Sequence, residues 1–121
     1  MRFMVIVKST PEAEKEGALP DPQLLLEMGK YNEELSKAGV LLALDGLHPS
    51  SKGARVKFSG KSRTVVDGPF TETKELIGGF AIFQLQSKAE AIELTRRFLQ
   101  TAGDGDVEIR QMPDNPAYAR S

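Results

Sequence analysis

Five side chains in the middle of this 121-residue chain have the types needed for proton chemistry: Asp45, His48, Asp67, Glu72 and Lys74. His48 is the sole histidine, and an imidazole with an ordinary pKa near ~6.5 makes it the natural near-neutral acid or base of the sequence. Asp45 ends an apolar run just before it. Asp67 opens the stretch Asp67-Gly68-Pro69-Phe70-Thr71-Glu72-Thr73-Lys74-Glu75-Leu76-Ile77-Gly78-Gly79-Phe80, in which Glu72, Lys74 and Glu75 crowd three charges into four residues before the chain turns apolar. Gathered in a partly dry pocket, such groups would support general acid–base catalysis. Each also has a plainer use. His48 beside Pro49 suits a loop, and Asp45 suits a turn at a strand end. Asp67 can fold its carboxylate onto nearby backbone N–H groups of a tight turn, where Gly68 supplies dihedrals other residues avoid and Pro69 fixes the chain direction. Glu72 and Lys74 are demanded by no backbone geometry and equally suit a solvated loop.

Composition narrows the classes. The chain has no cysteine, which removes disulfides, thiolate metal sites and a cysteine nucleophile and suits a cytoplasmic protein. One histidine among scattered acids offers no zinc or iron spacing, so neither a metal nor a cofactor is expected. Gly78-Gly79 precedes a strand rather than a helix; its expected use is close backbone packing or a bulge, not phosphate binding. With 16 basic and 17 acidic residues, no global field attracts nucleic acid. Lys52, Arg55, Lys57, Lys61 and Arg63 form a basic ribbon, read as a solvated hairpin face because Phe58 beside Val56 has core spacing. The run Phe3–Val7, closed by Lys8, is too short for a membrane span or signal-peptide core.

The elements that must position these groups follow from periodicity. Phe3–Val7 is apolar on both faces, as in a central strand. A polar loop from Thr10 to Pro20 leads to Asp21-Pro22, an N-cap and first-turn proline. Leu24, Leu25, Met28, Tyr31, Leu35 and Ala38 then mark one helix face, which Gly39 ends. Val40–Leu44 predicts a second strand. Ala54–Phe58 and Arg63–Val66 flank Ser59-Gly60-Lys61-Ser62 as a hairpin. Phe80–Leu85 is a long apolar strand, Ser87 and Glu90 form a capping box, and Ala91, Ile92, Thr95, Phe98, Leu99 and Ala102 are the inner stripe of a second helix that stops at Gly103. Val107–Met112 closes the order as a shorter strand.

Strand, helix, strand, hairpin, strand, helix, strand predicts an α+β, ferredoxin-like split β-α-β domain with an inserted β-hairpin. Two helices cover one sheet face. Met4, Ile6, Leu42, Leu44 and Ile82 cannot all point at them, and exposing half the strand residues at about 25 cal/mol per Å² would cost several kcal/mol. A homodimer that pairs sheet on sheet is the expected remedy.

Asp67–Phe80, Gly46-Leu47-His48-Pro49-Ser50, Gly53-Ala54-Arg55-Val56, Tyr31-Asn32-Glu33-Glu34-Leu35 with Ala38-Gly39-Val40-Leu41, and Val107-Glu108-Ile109-Arg110 together resemble the YCII-related, DGPF-domain family over nearly all of residues 1–121. The resemblance implies a dimeric α+β barrel, a fold that in other families hosts monooxygenases, isomerases and lyases, though fold alone assigns no reaction. Members are often associated with extracytoplasmic-function sigma factors. The YciI-like branch carries a helix histidine proposed as catalytic or phosphorylated, and the position matching it by distance to the helix-ending glycine is Met28. Methionine moves no protons. Any chemistry therefore falls to His48, Asp45, Asp67, Glu72 and Lys74. Two functions follow. One is a cofactor-independent small-molecule enzyme with lyase- or isomerase-like acid–base chemistry, its pocket lined by the Asp67 stretch and the Asp45–His48 turn. The other is a non-catalytic metabolite-binding or regulatory module.

Overall fold

In chain order the elements are β1 (Arg2–Lys8), α1 (Pro22–Lys37), β2 (Leu41–Gly46), a 3-10 turn (Ser50–Lys52), β3 (Ala54–Ser59), β4 (Ser62–Asp67), β5 (Ile77–Gln84), α2 (Lys88–Ala102) and β6 (Val107–Met112). The computed structural model describes residues 1–15, 22–72, 75–102 and 105–114, apart from the side chains of 24, 25, 101 and 102. The expected N-cap Asp21 and helix stop Gly103 lie outside the described residues.

β1 pairs antiparallel with β5 on one edge and β6 on the other, and β5 pairs antiparallel with β2, giving the order β2-β5-β1-β6. This is the ferredoxin-like order, with the two most apolar strands central as their patterns require. β5 begins at Ile77, earlier than the apolar run suggests. Val7 pairs with Gly79 and Lys8 with Ile77, so Gly78 is bulged out. A Cβ on Gly79 would stand 3.0 Å from the Asp45 carbonyl oxygen. The glycine pair therefore serves both the bulge and the close backbone approach.

Residues that face one another across β1 and β5 share a sheet face. Phe3, Val5, Ala81 and Phe83 lie on the helix side and, with Leu85 and Ala91, form the buried core. Phe3 is 1% exposed, which for an aromatic of its size contributes about 3 kcal/mol. Leu35, Val40, Leu41, Leu94, Val107 and Ile109 pack around this centre.

α1 ends in a Schellman motif: the Gly39 N–H donates to Ser36 O at 3.1 Å and the Val40 N–H to Leu35 O at 3.0 Å, with Gly39 at φ 75. Leu35 and Val40 make the apolar contact that accompanies this motif. At α2 the Glu90 N–H donates to Ser87 Oγ at 3.2 Å, while the Glu90 carboxylate accepts from Gln86 N–H at 3.0 Å rather than from Ser87. The box is thus displaced by one residue. Two stripe positions differ from expectation. Ala38 is exposed because the chain is already turning there, and Ile92 is 39% exposed at the edge of α2 while Ala91 and Thr95 take the buried line.

The hairpin departs most from its sequence pattern. Val56 pairs with Val65 and Phe58 with Arg63, yet Phe58 is 66% and Val65 65% exposed. Phe58 is not a core residue within one chain. β3 and β4 form a separate two-stranded sheet standing off the main one, and both of its faces are open.

Candidate functional site

A cavity of about 510 Å³ lies between the two helices and the sheet, within the roughly 300–1,000 Å³ typical of ligand pockets. Its origin is local. Gly46 and Gly79 face one another across β2 and β5, so this rung of the sheet puts no side chain into the space between the layers. Gly29 on α1 adds none from above, and a Cβ there would have nothing within 4 Å. Val5, Val7, Met28, Phe83, Leu94 and Phe98 supply apolar wall.

Three polar side chains belong to this lining, those of Tyr31, Asn32 and Thr95; Asp45 borders it through its backbone, because it pairs with Phe80 and so carries its side chain on the opposite sheet face. Thr95 is satisfied, its hydroxyl donating to Ala91 O at 2.8 Å. One carboxylate oxygen of Asp45 accepts the Gly46 N–H at 2.9 Å. The Tyr31 hydroxyl is buried with no hydrogen-bond partner. Burial pushes it above the usual phenol range; Arg97 pulls the other way, and Glu34 adds to the rise. It remains a neutral hydroxyl at physiological pH.

A second, more open hollow of about 410 Å³ is lined by His48 with Glu14, Lys52, Arg55, Phe70 and Glu75. Its wall is a clasp between three loops. Glu14 accepts the Ser50 N–H at 3.2 Å and the Ser50 hydroxyl, which in turn accepts the Phe70 N–H at 3.1 Å. The Arg55 guanidinium lies 3.9 Å over the Phe70 ring, and the Gly68 N–H donates to Gly53 O at 2.9 Å. Glu14→Ala leaves Ser50 short of its acceptor and is expected to lower stability by about 2 kcal/mol. Urea unfolding of the two proteins measures it, and a shift below about 0.5 kcal/mol would remove the clasp from the fold's stability.

The five sequence-derived candidates do not form one cluster. Asp45 borders the helix–sheet cavity through its backbone and His48 lines the open hollow. Asp67 is the last residue of β4, paired with Ala54 and exposed, and its carboxylate makes no hydrogen bond among the described residues. It does not fold onto a turn. Glu72 is exposed, its carbonyl accepting the Glu75 N–H at 3.0 Å; Lys74 lies outside the described residues. Gly68 has no positive φ, so dihedral freedom is not its use. A Cβ there would overlap the Ser50 carbonyl oxygen. The Gly68–Pro69 peptide bond is cis.

Sequence reading placed Tyr31 on the core stripe of α1 and passed over Asn32 and Glu14. Glu14 carried no signal, sitting in a loop far from Ser50 in sequence. No group of three His, Asp or Glu among the described residues can hold a metal ion. Among those residues, no helix is long and apolar enough to cross a membrane.

The sheet order, the two helices on one face and the inserted ribbon define a ferredoxin-like α+β protein. Within that class the sequence pattern of the YCII-related domain matches residues 1–113, and the chain belongs to that family. An uncharacterized protein of Rhizobium meliloti (strain 1021) is 28% identical over 93 residues, covering 76% of this chain and 75% of that protein.

Proposed function

We propose that this chain is a homodimeric small-molecule-binding module of the YCII-related family, whose ligand enters the cavity between the helices and the sheet. The observation that carries the reading is that cavity: about 510 Å³, mostly apolar, with a buried unpartnered tyrosine hydroxyl in its lining. A concave apolar space with a few polar groups is the usual form of a ligand site.

Binding is favoured over catalysis by how the titratable groups are distributed. An acid–base mechanism needs a donor and an acceptor near the same reacting atoms. Here Asp45 and His48 border different hollows, and Asp67 and Glu72 line neither. The alternative, a cofactor-independent lyase- or isomerase-like enzyme, has its best support in the open hollow, where His48 and Glu75 share a lining. A binding module also accords with the regulatory role, linked to sigma factors, that the family resemblance implies.

Dimerisation through the open sheet face completes the reading. Met4, Ile6, Phe80 and Ile82 form that face, half-buried with no described element laid across it.

Met28→Trp tests the site. The larger side chain fills the cavity from α1, so any small molecule found by a thermal-shift or NMR ligand screen should lose at least about tenfold in affinity while the dimer persists. Glu72→Gln, on an exposed loop, is the control and should change nothing. A hit indifferent to Met28→Trp but lost in His48→Gln would move the site to the open hollow and revive the enzyme reading.

A further inference from the structure

The helix–sheet cavity has a polarity that selects among ligands. No charged side chain of the described residues opens into it: no lysine, arginine, histidine or glutamate is in the lining, and Asp45, paired with Phe80, carries its carboxylate on the opposite sheet face. A carboxylate or phosphate entering here would shed its water in an apolar space and find no cation in the described lining. Tyr31 brings a hydroxyl that is buried, unpartnered and kept protonated by burial, and it can donate or accept. Asn32 offers an amide with both capacities.

The walls speak to shape. Phe83 and Phe98 present aromatic surface and Met28 a polarizable thioether, a combination that favours ring contacts. A dry cavity of about 150 Å³ suffices for benzene in an engineered lysozyme, so about 510 Å³ gives room for a fused bicyclic or tricyclic ring.

We infer that the cavity takes a neutral, hydroxylated aromatic compound, its rings among Met28, Phe83 and Phe98 and its hydroxyl bonded by Tyr31. The inference rests on the ligand-binding reading given above and adds the chemical class to it. Met28 stands where the resemblance puts a histidine, and a thioether there turns that wall from proton transfer to ring packing.

Four probes of one shape test it by titration calorimetry or ligand-observed NMR on the full chain: 2-naphthol, naphthalene, 2-naphthoate and 2-naphthylmethylammonium. The expected order puts 2-naphthol about tenfold or more tighter than naphthalene, with the naphthoate weakest. Tyr31→Phe deletes only an unpartnered hydroxyl and should leave folding intact; it should bring 2-naphthol down toward naphthalene and leave naphthalene itself unchanged. If naphthoate or the ammonium probe binds as tightly as 2-naphthol, or if Tyr31→Phe weakens all four probes equally, the class is overturned while the cavity remains a ligand site. If no probe binds to the wild-type protein at millimolar concentration, the class falls; a screen whose hits all ignore Met28→Trp removes the ligand-binding reading itself.

Discussion

Gly68→Ala is expected to lower the stability of this protein by about 3 kcal/mol, the upper part of the range for overpacking a well-fitted site. The position tolerates no side chain because its Cα presses on the Ser50 backbone, so that a Cβ would overlap the Ser50 carbonyl oxygen and crowd the carbonyl carbon behind it. Backbone atoms cannot rotate away as a side-chain tip can. The intruding methyl must push apart the 3-10 turn and the segment after β4, straining the Gly68 N–H bond to Gly53 O and the Phe70 N–H bond to Ser50 Oγ. A comparison at Gly60 separates this cause from dihedral strain. Gly60 sits at φ 59 in the β3–β4 turn with open space around it, so Gly60→Ala should cost only about 1 kcal/mol, the usual penalty for a left-handed alanine. Urea midpoints at fixed protein concentration give both values. Equal losses at the two positions would defeat the close-contact account, and Ser50→Gly should rescue nothing at Gly68, since the obstacle is the Ser50 main chain.

Local signals in the sequence carried most of the fold. Phe3–Val7 and Phe80–Leu85 read as central strands because both faces of each are apolar, and both are central. Gly39 stops α1 through hydrogen bonds made within a few residues, and Ser87 starts α2 the same way. The hairpin was likewise legible, though its strands run on to Ser59 and from Ser62, leaving Gly60-Lys61 rather than four residues as the turn. What failed was inference about the surroundings. Phe58 beside Val56 has the spacing of a buried pair, but spacing says only that a face is apolar and not what lies against it. The cavity was harder still. It depends on Gly46 falling opposite Gly79, and that rung follows from an irregularity between Leu41 and Ala43 in β2. A one-residue change of register would have put side chains into the space. Asp45 and His48, near neighbours in sequence, part company because Asp45 is still in β2 while His48 lies beyond its end.

Ile82→Asp should convert the protein from dimer to monomer at micromolar concentration. Ile82 sits on the face of β5 away from the helices, directly across from Met4 of β1 and Ala43 of β2, near the middle of the apolar surface that two helices leave open. The hairpin makes the same demand from a different quarter. A two-stranded ribbon is marginal by itself in water, and this one exposes Val56, Phe58, Val65 and Val66, so a second copy that covers the sheet face would also give the ribbon something to lie against. In a twofold dimer each substitution acts twice. A buried aspartate with no cation opposite costs at least about 2 kcal/mol per copy, and twice that is close to a thousandfold in Kd. Sedimentation velocity over a dilution series reads the change directly. Phe58→Ser guards against the chance that Ile82→Asp merely unfolds the chain: Phe58 is 66% exposed and meets the Arg63 guanidinium 4.7 Å over its ring, so in a monomer its loss should lower stability by no more than about 1 kcal/mol, whereas in the dimer it should weaken association by about tenfold. A wild-type protein that sediments as a folded monomer at ten micromolar would end the dimer reading and leave the open sheet face for some other partner.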